Sequence, residues 1–183
     1  MALTHAILTA LLEEDLTGYE LAKKFDVSLG FFWTASHQQI YQTLKRLYAE
    51  GLVSAEEVSQ TGKPDKRIYS LTEGGRQALD NWVLGETKKR KVTDELFAKL
   101  YTVGHSSAEA VVSAVAQRQQ GHRQKLSLYR KIESRNYADP MNLPDRRKGI
   151  YLALLAGIRQ EEASLVWCED ALSLLATVEN RSE

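Results

Sequence analysis

The sequence predicts a mainly α-helical protein with one small β hairpin, a short-element domain followed by a helical one. Three observations carry this reading. The first fifty residues hold repeated helix-start signals ahead of apolar periodicity, ending at Gly51. Two short β-branched and aromatic segments follow, separated by the turn-forming run Gln60-Thr61-Gly62-Lys63-Pro64-Asp65. Beyond residue 93, long helical patterns are broken only near Pro140 and Pro144.

Taken in order, Thr4 is placed to cap a first helix with Ile7, Leu8, Leu11 and Leu12 on one side. Thr17-Gly18-Tyr19-Glu20 is a capping box, a hydroxyl and a carboxylate satisfying each other's backbone N–H groups, with Leu16 and Leu21 as its hydrophobic staple. Ser36-His37-Gln38-Gln39 repeats the box before a third helix. Gly51 is a good residue to end it. Leu52 to Ser59 and Lys66 to Leu71 form the hairpin, and Thr72-Glu73 opens a fourth helix with Leu79, Trp82 and Val83.

The run Glu86-Thr87-Lys88-Lys89-Arg90-Lys91 reads as a solvated basic linker, giving domains 1–85 and 93–183 joined by 86–92. In the second domain Thr93 and Ser106 are expected N-caps, the latter with Glu109 three residues on. Helices are expected from about Ser107 towards Arg135 and from about Asp145 to Val178. In the last helix Tyr151, Ile158, Leu165 and Leu172 recur every seven residues. Leu154, Cys168 and Leu175 keep the same period three positions on, with Glu161 as a polar flaw. A helix of that length, ~50 Å, is more than so small a domain can cover, so these seven apolar residues are the expected dimer seam, with part of it covered by the helix from Ser107 to Arg135.

The 183 residues suffice to bury a core without staples, and 24 Lys+Arg balance 24 Asp+Glu. One cysteine excludes an intramolecular disulfide framework, and the start Met-Ala-Leu-Thr-His lacks signal-peptide character, so a cytoplasmic protein is expected. The longest apolar stretch, Ile150 to Ile158, is half of what a spanning helix needs, so no membrane partner is expected. The sequence has no Gly-x-Ser-x-Gly, P-loop or dinucleotide fingerprint, and an enzyme is not expected. His5, His37, His105 and His122 lack metal-ligand spacing, so neither metal nor cofactor is expected. Trp33, Trp82 and Trp167 leave an aromatic effector pocket open, although Phe31-Phe32-Trp33 more simply packs the second helix on the third.

Three helices and then a two-stranded hairpin is the order of a winged helix-turn-helix domain. Its third helix must be apolar on one face and polar or basic on the other. Ile40, Leu44 and Leu47 cluster on one side, opposite Gln38, Gln39, Gln42, Lys45 and Arg46, with Tyr41 on the flank. No acidic residue occurs from Ser36 to Ala49. Glutamine pairs bidentately with adenine and arginine with guanine, so this face can read base edges. Lys63, Lys66 and Arg67 at the hairpin suit flanking phosphates. The expected partner is therefore duplex DNA, bound by a homodimer on a pseudo-palindromic site. A winged-helix adaptor that binds protein instead is the alternative.

The same residues carry a family resemblance. Thr17-Gly18-Tyr19-Glu20-Leu21, Ser36-His37-Gln38-Gln39-Ile40-Tyr41, Leu44-Lys45-Arg46-Leu47, Gly51-Leu52-Val53, Gly62-Lys63-Pro64-Asp65-Lys66-Arg67 and Tyr69-Ser70-Leu71-Thr72 resemble the pattern of PadR-type transcriptional regulators. Phe32-Trp33 and Ser36-His37-Gln38-Gln39 resemble most the subgroup of the virulence-gene activator AphA. The detailed likeness spans residues 3–84, and the remainder is similar only in kind. It implies a bacterial, metal-free, sequence-specific DNA-binding regulator that dimerises through a helical C-terminal domain. It also implies backbone contacts by Tyr41, Lys63, Lys66 and Arg67.

Overall fold

The computed structural model describes residues 2–27, 35–59, 66–86, 94–105 and 107–178. Lys63, the Phe31-Phe32-Trp33 stretch, the basic run 87–91, Thr93 and Ser106 lie outside them. The chain divides into two compact units, Met1–Lys89 and Arg90–Glu183.

The first unit runs α1 (Ala2–Leu11), β1 (Leu16–Thr17), α2 (Gly18–Val27), α3 (His37–Ala49), β2 (Val53–Val58), β3 (Lys66–Leu71) and α4 (Glu73–Val83). Helix α1 has already begun before Thr4, so Thr4 is not its cap; the Thr4 hydroxyl instead accepts a hydrogen bond from Arg46 of α3. The helix ends at Leu11, which leaves Leu12 exposed rather than on the core face. At the head of α2 the capping box forms: Thr17 N–H donates to Glu20 Oε2 at 2.8 Å and Glu20 N–H to Thr17 Oγ1 at 3.2 Å. Ser36 and Gln39 close the same box on α3. That helix ends in a Schellman motif, with Gly51 at φ 70°, where a side chain would be strained. Its two bonds are Leu52 N–H to Leu47 O at 2.9 Å and Gly51 N–H to Tyr48 O at 3.1 Å.

The sheet has three strands, not two, in the order β1-β3-β2. Beside the expected hairpin, Leu16 and Thr17 pair antiparallel with Tyr69 and Ile68. This third strand ties the start of α2 to the hairpin. Ile7, Leu8, Leu21, Ile40, Leu44, Leu47 and Val53 are almost wholly buried at the centre of the unit. Thr72 caps α4 through the Gly75 N–H, and Trp82 stacks on His5 with ring centroids 4.7 Å apart.

The second unit runs α5 (Glu95–Leu100), α6 (Ala108–Asn136), a 3₁₀ turn (Pro140–Asn142) and α7 (Asp145–Leu175). Asp94 and Ser107 are the caps of α5 and α6, one residue beyond the expected Thr93 and Ser106. The Pro140 and Pro144 break lets α6 and α7 pack against each other as a long hairpin. This packing supplies the part of the cover of α7 that the helix from Ser107 to Arg135 was expected to provide. Within the single chain, Leu154, Ile158, Cys168 and Leu175 are already buried, while Tyr151, Leu165 and Leu172 are half-buried. Each fully covered side chain is worth ~1.5–3 kcal/mol, a return that α6 supplies without a partner. The polar flaw is resolved the same way: Glu161, 6% exposed, pairs with His122 Nδ1 of α6. Burial pushes the Cys168 thiol up, so it packs as a small apolar group rather than a thiolate.

Candidate nucleic-acid interface

Helix α3 divides as its sequence requires. Ile40, Thr43, Leu44 and Leu47 face the core, and Gln38, Gln39, Tyr41, Gln42, Lys45 and Arg46 are exposed. Their availability differs. Gln38, Gln42 and Lys45 make no hydrogen bond or ion pair among the described residues. Gln39 spends its amide oxygen on the Ser36 N–H at 2.9 Å, so a bidentate pair with adenine requires opening the cap. Arg46 donates to the Thr4 hydroxyl and lies 3.7 Å from Glu50.

Beside α3 lies an open cleft of about 590 Å³ lined by the start of α2, by Tyr41 and by β3. It gathers Lys23, Lys66 and Arg67 against a single carboxylate, Glu20. The Thr17 backbone N–H and hydroxyl hold that carboxyl below its usual range, so it stays ionised and locked to the helix start. Arg67 is steadied by Glu57 at 3.2 Å, and its guanidinium sits 5.2 Å from the Tyr48 ring centre. Tyr19 and Lys23, one turn apart on α2, also line the cleft. The sequence reading had passed over both. Their only signal there was the four-residue spacing after the capping box.

The absence of a side chain at Gly18 shapes this cleft. A Cβ there would stand 2.4 Å from Tyr41 Cε1, so the tyrosine ring occupies the space a side chain would take. Gly18→Ala is expected to displace the ring while leaving the fold intact, because Tyr41 is half exposed and free to swing. If the tyrosine hydroxyl meets a phosphate, the loss is about 10–100-fold in DNA affinity, the worth of one hydrogen bond to a charged group. Tyr41→Phe should then cost little more in the Gly18→Ala background. Titrations of the two single variants and the double variant on one duplex check this.

Residues 7–81 match the Transcriptional regulator PadR-like family, and residues 92–176 match the Virulence activator alpha C-term family. The probable transcriptional regulator Rv1176c of Mycobacterium tuberculosis is 37% identical over 185 residues, covering 96% of this chain and 98% of that one. The negative transcriptional regulator PadR of Bacillus subtilis is 32% identical, covering 94% and 97%. The crystal structure of B. subtilis PadR in complex with operator DNA matches with a TM-score of 0.80 at 30% identity, over 96% of this chain and 99% of that one. The same regulator in complex with p-coumaric acid matches with a TM-score of 0.74 at 29% identity, over 96% and 99%. The virulence activator AphA of Vibrio cholerae matches with a TM-score of 0.79 at 34% identity, over 97% and 99%. Winged unit, acid-free third helix and basic cleft thus agree with the comparisons: the chain belongs to the PadR family of transcriptional regulators, in its AphA-like subgroup, and is a DNA-binding regulator.

Proposed function

We propose that the protein binds a pseudo-palindromic operator as a homodimer, with α3 reading bases in the major groove and the hairpin and cleft holding the backbone, and that a small molecule modulates this binding. The observation that carries the reading is the exposed face of α3, where Gln38, Gln42 and Lys45 have no hydrogen-bond or ion-pair partner among the described residues, beside three clustered cations. Lys66→Ala with Arg67→Ala is expected to weaken all duplexes alike, because phosphates carry no sequence information. Gln42→Ala is expected to change base preference at one position, by about 1–3 kcal/mol for a lost bidentate contact. Selection of bound sequences from a random pool distinguishes the two classes. An unchanged preference for Gln42→Ala overturns its reading role.

The homodimer reading rests on geometry of a different kind. One α3 face offers few contacts, whereas two copies on a two-fold axis meet half-sites ~34–36 Å apart, or a multiple of that, on one DNA face. The second unit leaves Leu152, Val166 and Leu174 of α7 uncovered by its own chain, next to half-buried Leu165 and Leu172. Val166→Glu with Leu174→Glu is expected to give folded monomers with weakened DNA binding, read by sedimentation and anisotropy. A wild-type monomer at micromolar concentration overturns the dimer. The effector reading is supported by the relative's p-coumaric acid complex and by an aromatic-walled pocket in the second unit.

A further inference from the structure

We infer that the outer face of α6 is a second polyanion-binding surface, which takes the phosphate backbone of duplex DNA through Arg123, Lys131 and Arg135 without reading its sequence. From Ala110 to Ile132 the helix carries no acidic residue. At about 100° per residue, Gln117, Gln120, Gln124, Lys131 and Arg135 share the exposed side opposite the buried Val111, Val115 and Tyr129, with Arg123 at its edge. The face runs ~27 Å from Gln117 to Arg135.

Charge is balanced inside the α6–α7 hairpin in a way that leaves only cations over. Residues 118–162 hold ten Lys and Arg against five Asp and Glu, in a chain whose formal net charge is zero. All five acids are engaged. Glu161 pairs with His122, Glu162 with Arg130 and Arg159, and Asp145 with Lys148 at 3.1 Å. Glu133 accepts from Arg130 at 2.7 Å and from the Tyr151 hydroxyl at 3.2 Å, and Asp139 accepts from the Asn142 amide at 2.7 Å. The side chains of Arg123, Lys131 and Arg135 have no hydrogen-bond or ion-pair partner among the described residues.

A polyanion suits this face better than a protein does. Protein interfaces are built on a buried apolar or aromatic centre. Here the surface between Arg123 and Lys131 is Gln124 and Ser127, and half-exposed Leu128 lies at its border. DNA interfaces are more polar and far more positively charged, and Gln and Ser side chains donate to phosphate oxygens as Lys and Arg do. The chain is a DNA-binding regulator, so the occupant is the backbone of a duplex: the flank of the one held by the winged unit, or a second one.

The test uses the full-length chain and a triple variant, Arg123→Gln with Lys131→Gln and Arg135→Gln. The three positions are exposed and Gln is a good helix former, so thermal unfolding should not change. Two duplexes are compared, one just long enough for the selected site and one carrying that site between long flanks. A preformed complex is also offered a second, labelled duplex. If the flank is the occupant, the triple variant lowers the magnitude of the salt slope on the long duplex by about 2.7 per chain, ~0.9 for each cation, and leaves it unchanged on the short one. If a second duplex is the occupant, the wild type captures it and the triple variant does not. The charge-preserving Arg123→Lys, Lys131→Arg, Arg135→Lys variant should match the wild type in both assays. Base preference in a random pool should be the same for all three proteins, which separates this face from α3. Random-sequence duplexes serve equally if no site is selected, so the comparison stands apart from the operator reading. Equal slopes and equal capture for the wild type and the triple Gln variant overturn the inference. Loss of polyglutamate binding in that variant, with DNA binding unaltered, assigns the face to an acidic protein instead and overturns it too.

Discussion

Raising monovalent salt from 50 to 200 mM is expected to weaken duplex binding by about 10³–10⁵-fold. The formal net charge of the chain is zero, so no global attraction to DNA exists. The attraction has to come from local clustering, from Lys23, Lys66 and Arg67 around the cleft and Lys45 on α3. A dimer doubles these cations and brings ~6–10 of them to phosphates, and each neutralised phosphate adds about −0.9 to the slope of log K against log salt. At these salt concentrations the Debye length is roughly 7–14 Å, so remote acidic groups are screened while cations touching phosphate still release counterions. Fluorescence anisotropy across a salt series gives the slope directly. Lys66→Ala with Arg67→Ala should lower its magnitude by about four in a dimer, and a flat wild-type response contradicts the interface.

His122→Leu is expected to destabilise the second unit by about 1–3 kcal/mol, the cost of leaving the buried Glu161 carboxyl group without its hydrogen-bond partner, with the histidine side chain itself 22% exposed. The cause is the carboxylate left behind. Glu161 is buried on α7 between the Ile158 and Cys168 turns, and its only hydrogen-bond partner among the described residues is His122. Glu161→Leu alone removes the more costly charge and should be far milder. The double substitution should come close to wild type or exceed it, since a leucine pair fills an apolar seam without desolvating charges. Urea unfolding of the four proteins closes the cycle. Equal losses from both single variants would show that the pair is held by water rather than by the seam.

The starts and stops of α2, α3 and α4 were legible in the sequence because their chemistry is local. A capping box joins residues three apart, a Schellman end needs only Gly51, and the Thr72 cap reaches Gly75. The two faces of α3 were equally legible, since period and charge sign lie within fourteen consecutive residues. Where a local rule had competition it misled. Thr4 has the chemistry of a cap, yet α1 begins earlier and its hydroxyl serves Arg46 of α3 instead. Thr93 and Ser106 each had a capping neighbour one position on, and it is Asp94 and Ser107 that cap.

By itself, then, the sequence determined the order of helices and hairpin in the first unit, the apolar face of α3 and its acid-free recognition face, all of which depend on residues within a few turns of one another. Tertiary structure decided the rest. Strand β1 is two residues long, too short to show a period, and exists because Tyr69 and Ile68 of β3 hydrogen-bond to it. Tyr19 and Lys23 join the cleft because that pairing brings the start of α2 beside β3. The apolar seam of α7 is the sharpest case. A heptad pattern states that a helix face must be covered but not by which partner, because burial free energy depends on area and not on whose atoms supply it. Only the packed hairpin shows α6 covering Leu154, Ile158, Cys168 and Leu175, and His122 meeting Glu161 across it.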